Sequence, residues 1–248
     1  PGQNRAVIFT RLVGGFDVMS DARLLVIDNA LDHDLYRPVD HWAAMVGYSP
    51  DSIHAPSGES LPNVDSYSHV ILTGCEGSIL DLPQWAKDES EWVGEAIECG
   101  AAVLGSCWGH QLIAVSQAGL GSVRRAANPE FGWIGIPIED DGGLLPAASF
   151  QTFTAHFDEV VVDCHPEMRI LATTAGCAVQ AARWGTRPVW GIQAHPEVDP
   201  DNGTAFLKKA AESWPESVEV LRSALAGPVR DSGDGKRIAR RFLATPAG

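Results

Sequence analysis

The sequence predicts an α/β fold built on an open, mostly parallel sheet flanked by helices. Short apolar runs alternate with longer segments of helical period, which is the pattern of parallel strands joined by crossover helices. The chain has 248 residues, 45% of them hydrophobic, and is long enough to bury one large core. Beyond residue 120 several β-like runs follow one another, which predicts a small added antiparallel layer. We therefore expect a single domain over residues 1–248.

The first half of the chain predicts strands that are each followed by a helix. Each of the first two helical segments ends in a glycine, a residue that commonly marks the C-terminal end of a helix. The predicted strands are 23–29, 69–74 and 101–107, and the predicted helices are 36–47, 82–100 and 108–121. The strand at 101–107 is apolar almost throughout, which is typical of a strand buried on both faces. Residues 1–20 show no clear period, and we assign them no element.

The second half predicts several strands and then helices. The β-like runs form the added layer and then return to the main sheet. They are 121–126, 131–140, 149–162, 168–175, 178–185 and 187–195. The helical segments that follow are 204–214, 217–226 and 235–244, the last of which is basic.

Charge and composition exclude several function classes. Acidic residues outnumber basic ones by 32 to 18, and the net charge of −14 would repel nucleic acid and anionic membranes. No apolar run is long enough to span a bilayer, and no signal-peptide pattern is present, so we expect a cytoplasmic protein. The five cysteines contain no CxxC pair, which predicts neither a disulfide framework nor a metal site. No phosphate-binding GxxxxGK[ST] loop occurs, and we expect no cofactor.

A candidate nucleophile stands where the strand 101–107 meets the following helix. Cys107 lies in the sequence GSCWG, a glycine–x–nucleophile–x–glycine pattern that is typical of a sharp strand-to-helix turn. Such a turn exposes the central side chain at a helix N-terminus, where the helix dipole favours a thiolate. The backbone N–H of Trp108 would then face an oxyanion formed on an attacked carbonyl. A buried, inert cysteine in a glycine-rich turn is the alternative for this pattern taken alone.

A candidate base lies at the end of the last predicted strand. His195 and Glu197 flank Pro196, and residues two apart on an extended segment share one face. Proline cannot donate a ladder hydrogen bond, which places the pair at the strand end. Ligands of open α/β sheets bind beyond the carboxyl ends of strands, where Cys107 also lies. We expect Glu197 to orient His195, and His195 to shuttle protons to and from the thiol. Taken alone, such a tripeptide would more often be a surface turn.

These motifs together resemble those of the class I (triad-type) glutamine amidotransferases. The family carries G-x-C-x-G-x-Q, a later H-P-E and an upstream glycine-rich strand end. In this chain they stand as GSCWGHQ at 105–111, HPE at 195–197 and LTGCEGS at 72–78. The resemblance covers about residues 22–212 and leaves 213–248 as a helical extension. It implies a flavodoxin-like sheet and a Cys-His-Glu triad.

The resemblance also implies the chemistry and the remaining site residues. Cys107 would attack the side-chain amide of L-glutamine, release ammonia and form a glutamyl thioester that water hydrolyses. The two oxyanion-hole N–H groups would be those of Cys75 and Trp108. The implied substrate-binding residues are Gly74, Gly77, Gln111, Ala155, His156, Phe157 and Asp158.

The chain departs from the family pattern beside the implied oxyanion hole. Cys75 and Glu76 follow Gly74 where many members have glycine and proline. A backbone N–H donor does not require glycine unless φ is positive, so Cys75 is compatible with catalysis. A carboxylate that pointed inward would disfavour a nearby thiolate, and we expect Glu76 to point outward. The CGSCW signature of papain-like proteases overlaps only the local GSCW, because Leu104 replaces the first cysteine.

The sequence leaves three functions open. A glutaminase that passes ammonia to an acceptor on a partner, such as a synthetase, is the first. A γ-glutamyl peptidase is the second, because it cleaves the same bond with a different leaving amine. A regulatory protein without catalytic activity, altered at Cys75 and Glu76, is the third.

Overall fold

The computed structural model describes residues 22–248. The strands are β1 Leu24–Asp28, β2 Asp51–His54, β3 His69–Leu72, β4 Ala102–Ser106, β5 Val123–Pro137, β6 Ser149–Val160, β7 Met168–Ala172, β8 Ala181–Trp184 and β9 Val189–Ile192. The helices are α1 Pro38–Val46, α2 Gln84–Glu98, α3 Trp108–Ala118, α4 Pro200–Ser213, α5 Val218–Ala226 and α6 Gly235–Leu243. The segment 1–20, to which the sequence assigned no element, lies outside the described residues.

The main sheet has seven strands in the order β2-β1-β3-β4-β9-β8-β7. From β2 to β9 all neighbours are parallel, whereas β7 and β8 complete one edge in antiparallel pairing. The central strands β1, β3, β4 and β9 are buried along their whole length. Parallel strands share one carboxyl edge, so the residues that follow β1, β3, β4 and β9 gather there.

The predicted α/β fold with a small antiparallel layer is confirmed, with two differences in detail. The predicted runs 121–126 and 131–140 form one long strand, β5, which pairs with β6 and is interrupted by a bulge between Arg125 and Glu130. The edge strand β2 carried no prediction, because only Ile53 of its four residues is apolar and none of the four is buried, so it lacks the apolar run of the buried strands. The helices predicted in the last part of the chain are present as α4, α5 and α6.

The core lies on both faces of the main sheet. On one face α2 and α3 bury Val93, Leu112 and Trp108 against β3 and β4. On the other face Trp42 of α1 and Phe242 of α6 pack against the sheet and are fully buried. The α6 segment therefore closes one face of the sheet, although it stands far along the chain. Within residues 22–248 no helix combines the length and the apolar character needed to cross a membrane.

Glycines at the β4–α3 turn allow the helix to approach the sheet. A Cβ on Gly105 would lie 2.4 Å from the backbone of Gly109. A Cβ on Gly109 would lie 2.2 Å from the carbonyl oxygen of Leu72 in β3. Backbone atoms cannot move away as a flexible side chain can, so both positions exclude any larger residue.

Gly109→Ala tests this close approach. We expect it to lower the free energy of unfolding by about 1–3 kcal/mol, because the added methyl overlaps backbone at the centre of the sheet. Gly121→Ala is the matched control, since an added Cβ there meets no described atom within 4 Å. Urea unfolding followed by circular dichroism measures both. Equal stability of the two variants would contradict the packing described here.

Candidate active site

Cys107 occupies the turn between β4 and α3 in a strained backbone conformation. Its φ of 49° and ψ of −109° are rare for a residue with a side chain. The turn is held on both sides, because the Cys107 N–H donates to Ile192 O at 2.8 Å and its carbonyl accepts from Gln111 N at 3.2 Å. The thiol therefore stands at the N-terminus of α3, where unpaired N–H groups favour negative charge.

His195 and Glu197 lie directly after β9, at the same edge of the sheet. His195 Nδ1 is 2.9 Å from Glu197 Oε1, and both side chains are buried. The backbone of His195 is fixed by β6, because its N–H donates to Phe153 O at 2.8 Å and Thr152 Oγ1 donates to its carbonyl at 3.2 Å. Strand pairing thus brings the two predicted residues beside Cys107, although the sequence separates them widely.

The Glu197 carboxylate accepts further hydrogen bonds. Tyr36 donates its hydroxyl to Glu197 Oε1 at 2.5 Å, and Ser106 Oγ donates to the same oxygen at 3.3 Å. Tyr36 comes from the loop after β1, and its ring meets that of His195 edge-on, with 5.5 Å between centroids. One buried carboxylate oxygen therefore joins the loop after β1, the last residue of β4 and the segment after β9.

The electrostatics of the site favour a charged imidazolium. Burial disfavours the charged form of His195, but the neighbouring Cys107 and Glu197 outweigh it and raise the pKa of His195 to about 10. Burial likewise favours the neutral acid of Glu197, but His195 and the hydrogen bonds from His195 and Tyr36 lower its pKa below the usual value. Burial and the Glu197 charge raise the pKa of Tyr36, so Tyr36 remains a donor.

The predicted oxyanion-hole donors, Cys75 and Trp108, line the same cavity as Cys107. Within residues 22–248 neither backbone N–H donates to a protein acceptor. The thiol of Cys75 turns back on its own loop and accepts from Gly77 N at 3.3 Å. Glu76 Oε2 accepts from Leu31 N at 2.7 Å, which ties this carboxylate to the loop after β1. All five cysteines are free thiols, so Cys75 and Cys107 form no disulfide.

The residues predicted to bind substrate surround this centre in different ways. Gly74 lies against His195, because a Cβ there would be 2.7 Å from His195 Cε1. Gln111 is buried, and its Nε2 donates to Asp158 O at 2.7 Å. The segment Ala155–Asp158 lies in β6, and the carbonyl of Ala155 accepts from Cys107 Sγ at 3.5 Å. Residues that line the cavity are Gly77, Gln111, Ala155, His156, Phe157 and Asp158.

Among residues 22–248, two clusters carry side chains of the types that bind metal ions. Asp28, His33 and His54 form one, and Glu130, His156 and Cys177 form the other. In the second, Glu130 accepts hydrogen bonds from Gln180 and Thr174 and faces His156 Nε2 at 3.1 Å. These groups form a hydrogen-bond network that joins β5 and β6 to the β7–β8 connection.

Sequence reasoning missed Tyr36, Ser78 and Arg125. Ser78 Oγ donates to Asp158 Oδ2 at 2.6 Å, and Arg125 pairs with Asp158 Oδ1 at 2.9 Å, so both hold the β6 segment that lines the cavity. Tyr36 and Ser78 lie in loops after β1 and β3. Ligand sites of open α/β sheets lie beyond the carboxyl ends of the strands, which predicts that these two loops take part in the site. It does not predict which residue of each loop does so.

The parallel sheet and the polar groups gathered at its carboxyl edge are those of an α/β enzyme. The family model described as glutamine amidotransferase class-I matches residues 26–213. The chain therefore belongs to the class-I glutamine amidotransferase family, and the resemblance and the enzyme class predicted from the motifs are confirmed.

Curated relatives of this chain include enzymes of GMP synthesis. The chain is 34% identical over 171 residues to the glutamine-hydrolysing GMP synthase of Aeropyrum pernix, a match that covers 67% of this chain and 30% of that protein. It is 42% identical over 145 residues to one subunit of the glutamine-hydrolysing GMP synthase of Saccharolobus solfataricus, covering 58% of this chain and 74% of that subunit. The chain thus spans under a third of the first protein and about three quarters of the second.

Solved structures share the fold. A glutamine amidotransferase from Thermotoga maritima has a TM-score of 0.69 at 22% identity, covering 90% of this chain and 96% of that chain. A glutamine amidotransferase from Methylobacillus flagellatus has a TM-score of 0.67 at 18% identity, covering 90% and 93%.

The thiols of the chain should differ in reactivity toward iodoacetamide at neutral pH. We expect Cys107 to react about tenfold faster than the exposed Cys99, because a helix N-terminus and a charged His195 favour its thiolate. Cys75 and Cys177 should react slowest, because burial raises the pKa of each. Peptide mapping by mass spectrometry gives the rates.

His195→Ala provides the control for that experiment. It should remove the advantage of Cys107 and leave the rate of Cys99 unchanged. If Cys107 reacted as slowly as Cys75 in the unaltered protein, the electrostatic description of the site would be wrong.

Proposed function

We propose that this protein hydrolyses the side-chain amide of L-glutamine through a Cys107-His195-Glu197 triad. The observation that carries the proposal is the convergence, at one cavity, of a strained cysteine turn and of His195, which is paired with the buried Glu197. The raised pKa of His195 supports a charged imidazolium beside Cys107. Membership of the class-I glutamine amidotransferase family supports the choice of substrate.

The reaction proceeds in two steps that share the same groups. The Cys107 thiolate attacks the amide carbon, and His195 gives its proton to the departing nitrogen, so that ammonia leaves and a glutamyl thioester forms. Water, activated by His195, then hydrolyses the thioester to glutamate. The N–H groups of Cys75 and Trp108 stabilise the oxyanion in both steps, and their lack of protein acceptors within residues 22–248 supports this role. Glu197 orients the ring and stabilises its charge.

Substrate binding is assigned to the groups around the thiol. Gly74 leaves room beside His195, and Gly77 belongs to the same loop as the Cys75 donor. Gln111 acts by holding the β6 carbonyl of Asp158. The segment Ala155–Asp158 lies beside the thiol, and its Ala155 carbonyl accepts from Cys107 Sγ. No cofactor and no metal ion takes part in this mechanism.

The released ammonia serves an acceptor on a partner protein. Relatives named as single subunits of a glutamine-hydrolysing GMP synthase support a synthetase as that partner. We treat residues 22–248 as one catalytic domain, because α6 in the 213–248 extension packs against Trp42 of α1 and completes the core.

A γ-glutamyl amide hydrolase is the second candidate. The cavity that holds Cys107 and His195 has a volume of about 510 Å³, which is in the range of roughly 300–1,000 Å³ typical of small-molecule and cofactor sites. Glutamine is small for such a cavity, whereas a γ-glutamyl amide with a larger amine would occupy more of it. A regulatory protein without catalytic activity is the third candidate, and the intact triad geometry argues against it.

Glutamate release from L-glutamine by the purified protein tests the proposal. We expect Cys107→Ser to reduce kcat by about 10⁴-fold or more, because the nucleophile is lost. Cys99→Ser is the matched control and should keep full activity, since Cys99 is exposed and lies at the end of α2. Release that persisted in Cys107→Ser would contradict the triad, and no release by the unaltered protein would favour the regulatory candidate.

Tyr36→Phe tests the positioning of Glu197. We expect kcat to fall roughly tenfold to a hundredfold with little change in KM, the effect of losing a hydrogen bond to a charged group. Without the hydroxyl the pKa of Glu197 rises, so the carboxylate protonates at higher pH and the acid limb of the kcat/KM profile moves upward in pH.

Tyr67→Phe is the matched control for Tyr36→Phe. Tyr67 donates to Asp51 at the opposite edge of the sheet, so both activity and pH profile should be unchanged. An unshifted acid limb in Tyr36→Phe would show that Tyr36 acts only in packing.

A further inference from the structure

A continuous set of aromatic rings lines the outer part of the active-site cavity. Phe153 lies 6.1 Å from His195 and 5.7 Å from Phe206, measured between ring centroids. Trp214 lies 5.8 Å from Phe206 and 6.0 Å from Phe157. We call this set the aromatic wall: Phe131, Phe153, Phe157, Phe206 and Trp214, all of which line the cavity.

Four of the five rings of the aromatic wall are more exposed than the aromatic residues of the core, whereas Phe153 is buried at 1% exposure. Phe150 and Phe242, which pack under the sheet, are 1% and 0% exposed. By contrast, Phe131, Phe206 and Trp214 each keep part of their surface exposed, and so does Phe157. Partly exposed rings that continue from the buried Phe153 along one cavity are typical of a site that binds apolar groups.

The position of the aromatic wall relates it to the leaving group. His195 is the group that gives a proton to the departing nitrogen, and the wall begins at the His195 ring. A substituent on that nitrogen would therefore meet Phe153, Phe206 and Trp214. Phe157, further along the wall, belongs to the β6 segment assigned above to the glutamyl moiety. Phe153 belongs to one hydrophobic cluster of the core, and Phe206 and Trp214 pack against that cluster. Ammonia has no apolar surface, so the exposed parts of the rings would gain no contact from ammonia as a leaving group. Aromatic rings prefer offset or edge-to-face contacts with one another. The rings of the wall can make such contacts with an aromatic ring on the departing amine.

We propose that Phe153, Phe206 and Trp214 of the aromatic wall form a leaving-group subsite for γ-glutamyl amides whose amine carries an aromatic ring. This inference rests on the proposed γ-glutamyl chemistry at Cys107 and specifies the substrate class. The amide C–N bond breaks, the thioester forms, and the amine that carries the ring leaves with the proton from His195. Water then releases glutamate, as in the hydrolysis of glutamine.

The first test compares kcat/KM for L-glutamine, γ-glutamylglycine and γ-glutamylphenylalanine, with glutamate release as the readout. We expect the phenylalanine substrate to exceed the glycine substrate by about tenfold or more, the selectivity that an apolar pocket provides. Equal values for the two dipeptides would overturn the subsite while leaving glutamine hydrolysis intact. Hydrolysis of none of the three would instead overturn the proposed function.

Variants of the wall locate the selectivity. Trp214→Leu should bring the ratio of the two dipeptide values close to one, and Trp214→Phe should retain most of the preference. Tyr67→Leu is the matched control, because it removes an aromatic ring at the opposite edge of the sheet, and it should keep the full ratio. A ratio unaffected by Trp214→Leu would contradict the assignment.

A binding measurement separates the subsite from catalysis. Cys107→Ala cannot form the thioester, so titration calorimetry with each dipeptide reports binding alone. We expect γ-glutamylphenylalanine to bind about tenfold more tightly than γ-glutamylglycine, and Trp214→Leu in the same background to remove the difference. Equal affinities would overturn the subsite even if the protein hydrolysed neither dipeptide.

Discussion

The backbone of Cys107 is the constraint on which the rest of the site depends. A residue with a side chain adopts φ of 49° only where its surroundings impose it, at a cost of about 1–3 kcal/mol. Here β9 accepts the Cys107 N–H, α3 begins at the next residue, and glycines at 105 and 109 let that helix lie against the sheet. The central strands therefore stabilise a conformation that points the thiol into the cavity. Because β9 is also the strand that ends beside His195, the same pairing sets the distance between the thiol and its partner.

A second constraint is the buried negative charge of Glu197. A carboxylate out of water must be paired and hydrogen-bonded, and His195, Tyr36 and Ser106 supply these bonds to one oxygen. The donors come from the loop after β1, the last residue of β4 and the segment after β9, so the charge links the carboxyl ends of these three strands. Glu197 also stabilises the charged ring of His195. A change at Tyr36 therefore affects the Cys107 thiol through Glu197 and His195.

The sequence predicts the fold and the candidate centre for reasons that are local. Cys107 and the His195–Glu197 pair each stand at the end of an apolar strand, and local patterns mark both positions. Tyr36 carries no such pattern, because its role depends on a partner 161 positions away. The edge strand β2 lacks an apolar run, and its pairing with β1 defines it. Glu76, expected to point outward, instead bonds Leu31, a contact between two loops that no periodicity describes.

Detection of the covalent intermediate tests the central claim most directly. The protein would be mixed with excess L-glutamine, quenched in acid within the first turnovers and analysed by mass spectrometry. We expect a glutamyl group on the peptide that contains Cys107, and none in Cys107→Ser. Glutamate release without an adduct on Cys107, or an adduct on another residue, would contradict the proposed triad.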